Sequence, residues 1–187
     1  IASEKTGILK PNKPVVLGNV AEEAATEIKA VAQSQNARTL FVEKYAPEWN
    51  HGAVIIHDSP DIGIKTPLRE PVNKWNVTCA WLVMQQLQPK FPVEEKVFIS
   101  AMESFEGIPA RFERIHPDFE WYFSGSHNAQ ALESSMEAIA QKQPLSETVV
   151  VFSLLKDKLN ESTLAYFKGF KKAYFVEQEG ERAAKFS

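Results

Sequence analysis

The 187 residues carry 21 Lys and Arg against 24 Asp and Glu, a formal net charge of −3, with 44% hydrophobic residues. That is the composition of a globular chain able to bury a core, long enough for one domain or two small ones. The charge leaves no basic footprint for nucleic acid, and no apolar run reaches the ~18 residues of a membrane span. A single cysteine, Cys79, excludes an internal disulfide and fits a reducing, cytoplasmic setting. The opening residues show no signal-peptide pattern. They begin with Ile1 rather than Met, and the expectation is a piece of a longer protein.

In chain order, Glu4–Lys10 reads as a loop and Pro14–Leu17 as a short buried strand closed by Gly18. Residues 21–33 have helical periodicity, with Ala24, Ile28, Val31 and Ala32 on one face and Glu22 and Glu23 in the first turn. Residues 38–42 and 53–57 read as strands, and 58–73, rich in Asp, Pro and Gly, as a loop. A helix follows to about Gln88, with Ala80, Val83, Met84 and Leu87 as its apolar face, Trp81 near an edge, and Cys79 a small buried hydrophobe. A second helix begins at Pro92, with Val97, Phe98, Ala101, Met102 and Phe105 as its core stripe.

Gly107 and Pro109 mark a domain boundary, giving domains at 1–106 and 107–187. Beyond it come strand 119–123, helix 128–141 (Leu132, Met136, Ile139 and Ala140 inward), strand 148–152, helix 160–168 and strand 173–176, with Glu181 opening a further helix. Alternating strands and helices predict an α/β fold with a mainly parallel sheet. The apolar run at 148–152 suits a sheet covered on both faces. In such a sheet the turns after the three strands share one edge. This brings Ser124–Asn128, Leu155–Lys158 and Glu179–Arg182 together where α/β proteins bind ligands.

No phosphate-cradling GxxxxGK[ST] or GxGxxG loop occurs. His51, His57, His116 and His127 have no metal-ligand spacing. His51 and His57 read as structural and His116 as exposed. His127 follows a strand and precedes a helix, so it is either turn filler before an Asn128 N-cap or a ligand group. Arg111 is either a solvated charge or a phosphate clamp. Lys156, Asp157 and Lys158 are most simply a charged loop.

Five landmarks in order carry a family resemblance. Glu4-Lys-Thr-Gly-Ile-Leu-Lys-Pro11 with Pro14-Val-Val-Leu-Gly18 resembles the EKAGIxKxxxPVVxG stretch of folylpolyglutamate synthase/dihydrofolate synthase, a branch of the Mur ligase superfamily. Asn76 stands at the Asn of that family's HQxxNAxxA helix. Ile108-Pro-Ala-Arg-Phe-Glu113 is similar to its W/LPGRxE linker. Ser124-Gly-Ser-His-Asn128 sits at its DGAHN motif, and Leu155-Lys-Asp-Lys158 resembles its xxKDKD loop.

The resemblance implies an ATP- and Mg²⁺-dependent ligase joining L-glutamate to a folate or dihydropteroate carboxylate through an acyl phosphate. It implies that 1–106 is the end of a central ATPase domain and 107–187 most of a Rossmann-like C-terminal domain. The P-loop and metal ligands would lie upstream, in an N-terminal part of the same protein, leaving this chain inactive alone. Arg111, Ser124, His127 and Asn128 would be nucleotide-binding, and Lys156, Asp157 and Lys158 substrate-binding. The protein would act as a monomer on small molecules. Ser124 replaces the motif's Asp and brings no charge, Ala110 replaces its Gly, and Ser126 its Ala. Other readings are a cell-wall precursor ligase, or a non-catalytic ligase-like domain that binds a nucleotide or partner without turnover.

Overall fold

The computed structural model describes residues 2–185. They form two compact units. One holds residues up to 68 together with 72–106, and the other holds 69–71 together with residues from 107 onward.

In the first unit, α1 (Ala2–Thr6) replaces the expected loop start. The Thr6 hydroxyl donates to the Ser3 carbonyl at 2.7 Å, which lets this polar residue be buried. Strands β1 (Val15–Leu17) and β2 (Thr39–Phe41) pair in parallel across helix α2 (Glu22–Ser34). Strands β3 (Glu48–Asn50), β4 (Ala53–Ile56) and β5 (Ile62–Lys65) form an antiparallel sheet in chain order. Both β3 and β5 depart from the sequence reading. In β5, Ile62 and Ile64 face the core while Gly63 and Lys65 face out. That period-two pattern is hidden among Asp, Pro and Gly.

Helix α3 (Asn73–Leu87) covers this sheet with a face rotated from the expected one. Val77, Trp81, Leu82 and Met84 are buried, whereas Val83 and Leu87 are each 44% exposed and Ala80 is also exposed. Trp81 offers the most apolar area and takes the central place, edge-on to Tyr45 at 5.3 Å, above Val54, Ile56, Ile62 and Ile64. Thr78 lies on the same buried face because its hydroxyl donates to the Lys74 carbonyl at 2.8 Å. Each fully buried Ile or Val contributes about 1.5–3 kcal/mol.

Helix α4 spans Glu95–Glu103, starting later than Pro92. The Gln88 side chain accepts from the Val93 amide at 3.1 Å and holds that residue outside the helix. Phe98, Ile99 and Met102 pack on the core, while Val97, Ala101 and Phe105 are exposed.

In the second unit, β6 (Glu113–Arg114) and β7 (Tyr122–Phe123) form a short antiparallel pair. Residues 119–121 of the aromatic run stay outside it, and Phe119 and Trp121 are exposed. Helix α5 (Ala129–Ala140) buries Leu132 and Ala138, with Ala140 outward. Strands β8 (Val149–Phe152) and β9 (Lys172–Phe175) are parallel and joined through α6 (Glu161–Ala165). One face of this pair packs Val150 and Phe152 against Leu132, Phe167 and Phe170. The other face is not covered as the apolar run implied: Val151 is 65% exposed and Tyr174 50%. Glu181 lies in a turn and not in a helix.

Candidate functional site

Two loops of the second unit are stitched together. The Gly125 amide donates to the Ala110 carbonyl at 2.8 Å. This joins the Gly/Pro linker carrying Arg111 to the turn carrying Ser124, His127 and Asn128. Arg111 sits between two left-handed residues, Ala110 (φ 58°) and Phe112 (φ 50°). Such conformations each cost on the order of 1 kcal/mol outside glycine. Two contacts hold them. The Ala110 amide donates to the Glu113 carboxylate at 2.9 Å, and the buried Phe112 ring stacks on Tyr122 at 4.7 Å. Arg111 itself is exposed.

In the turn, His127 Nδ1 donates to the Gly125 carbonyl at 2.8 Å, which fixes the tautomer and leaves Nε2 as the free ring nitrogen. Asn128 is the N-cap of α5: its Oδ1 accepts from the Ala131 amide at 2.9 Å. Both side chains are exposed.

Ser124 is half-buried and turned into a hydroxyl cluster. Its Oγ lies 2.8 Å from Ser126 Oγ and 3.1 Å from Ser135 Oγ, and Ser126 and Ser135 are 2.8 Å apart. Ser135 in turn donates to Glu70 Oε1 at 2.9 Å, and both residues are buried. Neither Glu70 nor Ser135 stands out in the sequence. A lone Glu in a Pro-flanked loop and a Ser in mid-helix carry no motif, and only the pairing across 65 residues reveals them.

The expected three-turn edge does not form as read, because β7 pairs with β6 and not with β8 or β9. The two later loops do meet. Leu155 bridges Ala183, and the Lys156 amide donates to the Arg182 carbonyl at 3.0 Å. Residues 156–158 make a single 3₁₀ turn. There Lys158 Nζ pairs with Asp157 at 3.1 Å, and this contact, with Arg182 nearby, holds the Asp157 carboxyl below its usual range.

Several other titratable groups make local contacts. His57 bridges Glu48 at 3.2 Å and Asp61 at 3.1 Å, and hydrogen bonds to these two carboxylates raise its pKa. His116 is half-buried, accepts from the Asp118 amide at 3.1 Å and packs beside Phe119 and Trp121. His51 occupies the exposed β3–β4 turn. Glu120 receives the Tyr122 hydroxyl and pairs with Arg114 at 2.9 Å, and these hold its carboxyl below the usual range. Burial raises the Cys79 thiol pKa, so this cysteine is a poor nucleophile. Asn76 lies on α3, where its amide donates to Asn73 Oδ1 at 3.0 Å. Among the described residues no group of three or more His, Cys, Asp or Glu could hold a metal ion, and no helix is long and apolar enough to cross a membrane.

Comparison with known proteins agrees with the motif resemblance. No family model matches the chain. A dihydrofolate synthase/folylpolyglutamate synthase of Bacillus subtilis (strain 168) is 27% identical over 171 residues, which is 84% of this chain and 39% of that protein. A folylpolyglutamate synthase of Mycobacterium tuberculosis, complexed with ADP and AMPPCP, superposes with a TM-score of 0.83 at 17% identity, over 98% of this chain and 44% of that one. An FPGS–AMPPCP–folate complex superposes with a TM-score of 0.75 at 19% identity, over 93% of this chain and 45% of that one. The structural likeness is one of fold, and this chain spans less than half the length of each of these relatives.

Proposed function

We propose that the chain contributes the nucleotide-phosphate side of an ATP-dependent ligase that joins L-glutamate to a folate or dihydropteroate carboxylate. The observation that carries the proposal is the 2.8 Å bond from Gly125 to Ala110, which brings the backbone of the linker bearing Arg111 beside the turn bearing His127 and Asn128. The three side chains are exposed. Arg111 offers a planar donor fork suited to phosphate oxygens, and His127 and Asn128 offer a ring nitrogen and an amide N–H₂.

In the reaction, a carboxylate oxygen of the acceptor attacks the γ-phosphorus of ATP, and the bond to the β-phosphate oxygen breaks to release ADP. The amine of glutamate then attacks the acyl carbon, phosphate leaves, and an amide forms. There is little covalent chemistry for the protein to do, so positioning and charge stabilisation supply the rate. Arg111 contributes to both. Lys156 and Lys158, with Asp157 orienting the second, serve the acceptor side. For Mg²⁺, which the resemblance implies, the described residues offer no group of three or more His, Cys, Asp or Glu.

In this reading residues 1–106 are the end of a central ATPase domain and 107–187 a C-terminal Rossmann-like domain. The ligase activity belongs to a whole protein that also carries a P-loop, acting as a cytoplasmic monomer. The similarity to relatives solved with AMPPCP and folate supports it.

Titration of the chain with AMPPCP tests the binding surface. Arg111→Ala should weaken binding by about 1.5–3 kcal/mol, the loss of a charge-assisted contact, and equal affinity in the two proteins would reject the assignment. A second reading, binding without turnover, is favoured by one observation. Ser124 turns its hydroxyl inward to Ser126 and Ser135 and offers no charge.

A further inference from the structure

Four short contacts link Ser124, Ser126, Ser135 and Glu70, and three hydroxyl protons serve them. A carboxylate only accepts, so the Ser135 proton goes to Glu70. Toward its serine neighbours Ser135 can therefore only accept. The longest contact, Ser124 to Ser135 at 3.1 Å, is the one left without a proton. The remaining protons then run in one direction, from Ser124 to Ser126 to Ser135 to Glu70. Glu70 is 8% exposed and Ser135 6%, so water does not readily substitute for a missing partner. The chain of bonds ties both serines that flank Gly125 to α5, and Gly125 is the residue whose amide holds the linker at Ala110.

From this we infer that Glu70 is a positioning residue for the turn Ser124–Asn128: its carboxylate is the terminal acceptor that fixes the turn and, through Gly125, the linker bearing Arg111. The inference rests on the proposed nucleotide-binding surface for its functional meaning, and on the hydroxyl network alone for its mechanical content. Glu70 stands apart from that surface and acts on it through Ser135. The sequence departs from the family motif at Ser124 and Ser126, and it is these two hydroxyls that make the connection to a buried acid possible.

The test uses the whole 187-residue chain in four forms: unaltered, Glu70→Leu, Glu70→Gln and Ser135→Ala. Amide hydrogen exchange at Gly125, whose N–H donates to Ala110, is measured without nucleotide, with thermal unfolding recorded for each protein. Glu70→Leu removes the acceptor, and Ser135→Ala removes the donor at little steric cost. Both should speed exchange in the turn by about tenfold, the effect expected for one lost buried hydrogen bond. Glu70→Gln keeps an amide oxygen for Ser135 and should stay within about twofold of the unaltered chain.

Unchanged exchange in Ser135→Ala, or equal exchange in Glu70→Gln and Glu70→Leu, would overturn the inference. AMPPCP titration of the same proteins separates the two levels. Affinity should fall in the order of turn exchange. Faster exchange in a chain whose unaltered form does not bind AMPPCP would uphold the hold of Glu70 on the turn while removing the nucleotide reading.

Discussion

The Gly125 amide and the Ala110 carbonyl lie 2.8 Å apart, and a Cβ placed on Gly125 would stand 3.3 Å from that same oxygen. A side chain at Gly125 would therefore be a tight fit between two backbones. Gly125→Ala should push the linker by a few tenths of an ångström and destabilise the second unit by about 1 kcal/mol, as mild overpacking does. Urea unfolding with an unchanged slope and a lower midpoint is the expected record. An unshifted midpoint would mean that the two loops are not held together in solution.

Asn128 allows its two possible roles to be separated. Its Oδ1 caps α5 through the Ala131 amide. Asn128→Ala should cost about 1 kcal/mol, the usual loss of an N-cap. Asn128→Asp should keep the cap and the stability while placing a negative charge beside any bound phosphate. AMPPCP binding that weakens in Asn128→Asp at wild-type stability would mark Asn128 as facing the nucleotide. Unchanged binding would leave it a cap alone.

The bridge of His57 to Glu48 and Asp61 has a definite pH signature. The folded-state pKa is raised above the ordinary 6.5 by hydrogen bonds to those carboxylates. The contribution to stability is thus complete below pH 6.5 and fades as pH rises through the raised folded-state value. An NMR titration of the imidazole should show a midpoint above 6.5, and Glu48→Gln or Asp61→Asn should each lower it. A midpoint that neither substitution moves would sink the assignment.

Ser124→Asp introduces the acid of the DGAHN motif that residues 124–128 resemble, but into a network that already ends on the Glu70 carboxylate. The introduced carboxyl should have a raised pKa, since like charges disfavour ionisation. A raised pKa for an acid costs stability above its unfolded value, so the variant should be less stable than the parent at pH 7 and recover as pH falls. Adding Glu70→Gln in the same molecule should return most of the loss. Thermal unfolding at several pH values reads both effects. Equal stability of Ser124→Asp and the parent at pH 7 would show that the two acids do not meet.

The sequence carried the helices well and their faces less well. Periodicity located α2, α3 and α5 to within a residue or two, because apolar spacing reports helices directly. It misassigned the buried face of α3, since Val83 and Leu87 are as apolar as the residues that are buried. Only the sheet beneath decides that Trp81 takes the centre. Strand β5 was illegible because two buried isoleucines are too few to outweigh Asp, Pro and Gly around them. The aromatic run 119–123 gave the opposite error: high strand propensity, but only Tyr122 and Phe123 find a partner strand. At the candidate site, Arg111, Ser124, His127 and Asn128 are singled out in the sequence by the motif resemblance, and their nucleotide role is a proposal. Glu70 is not singled out, because its role depends on a residue 65 positions away.

That separation bears on how the molecule can be divided. A cut at Gly107, the obvious place by Gly and Pro content, would leave Arg69–Pro71 on the wrong side of the cut. The severed second half would lack the acid that receives the Ser135 proton. Closing a loop of this length costs chain entropy before any local contact rewards it. The turn should therefore be among the last parts of the second unit to reach its final geometry during folding.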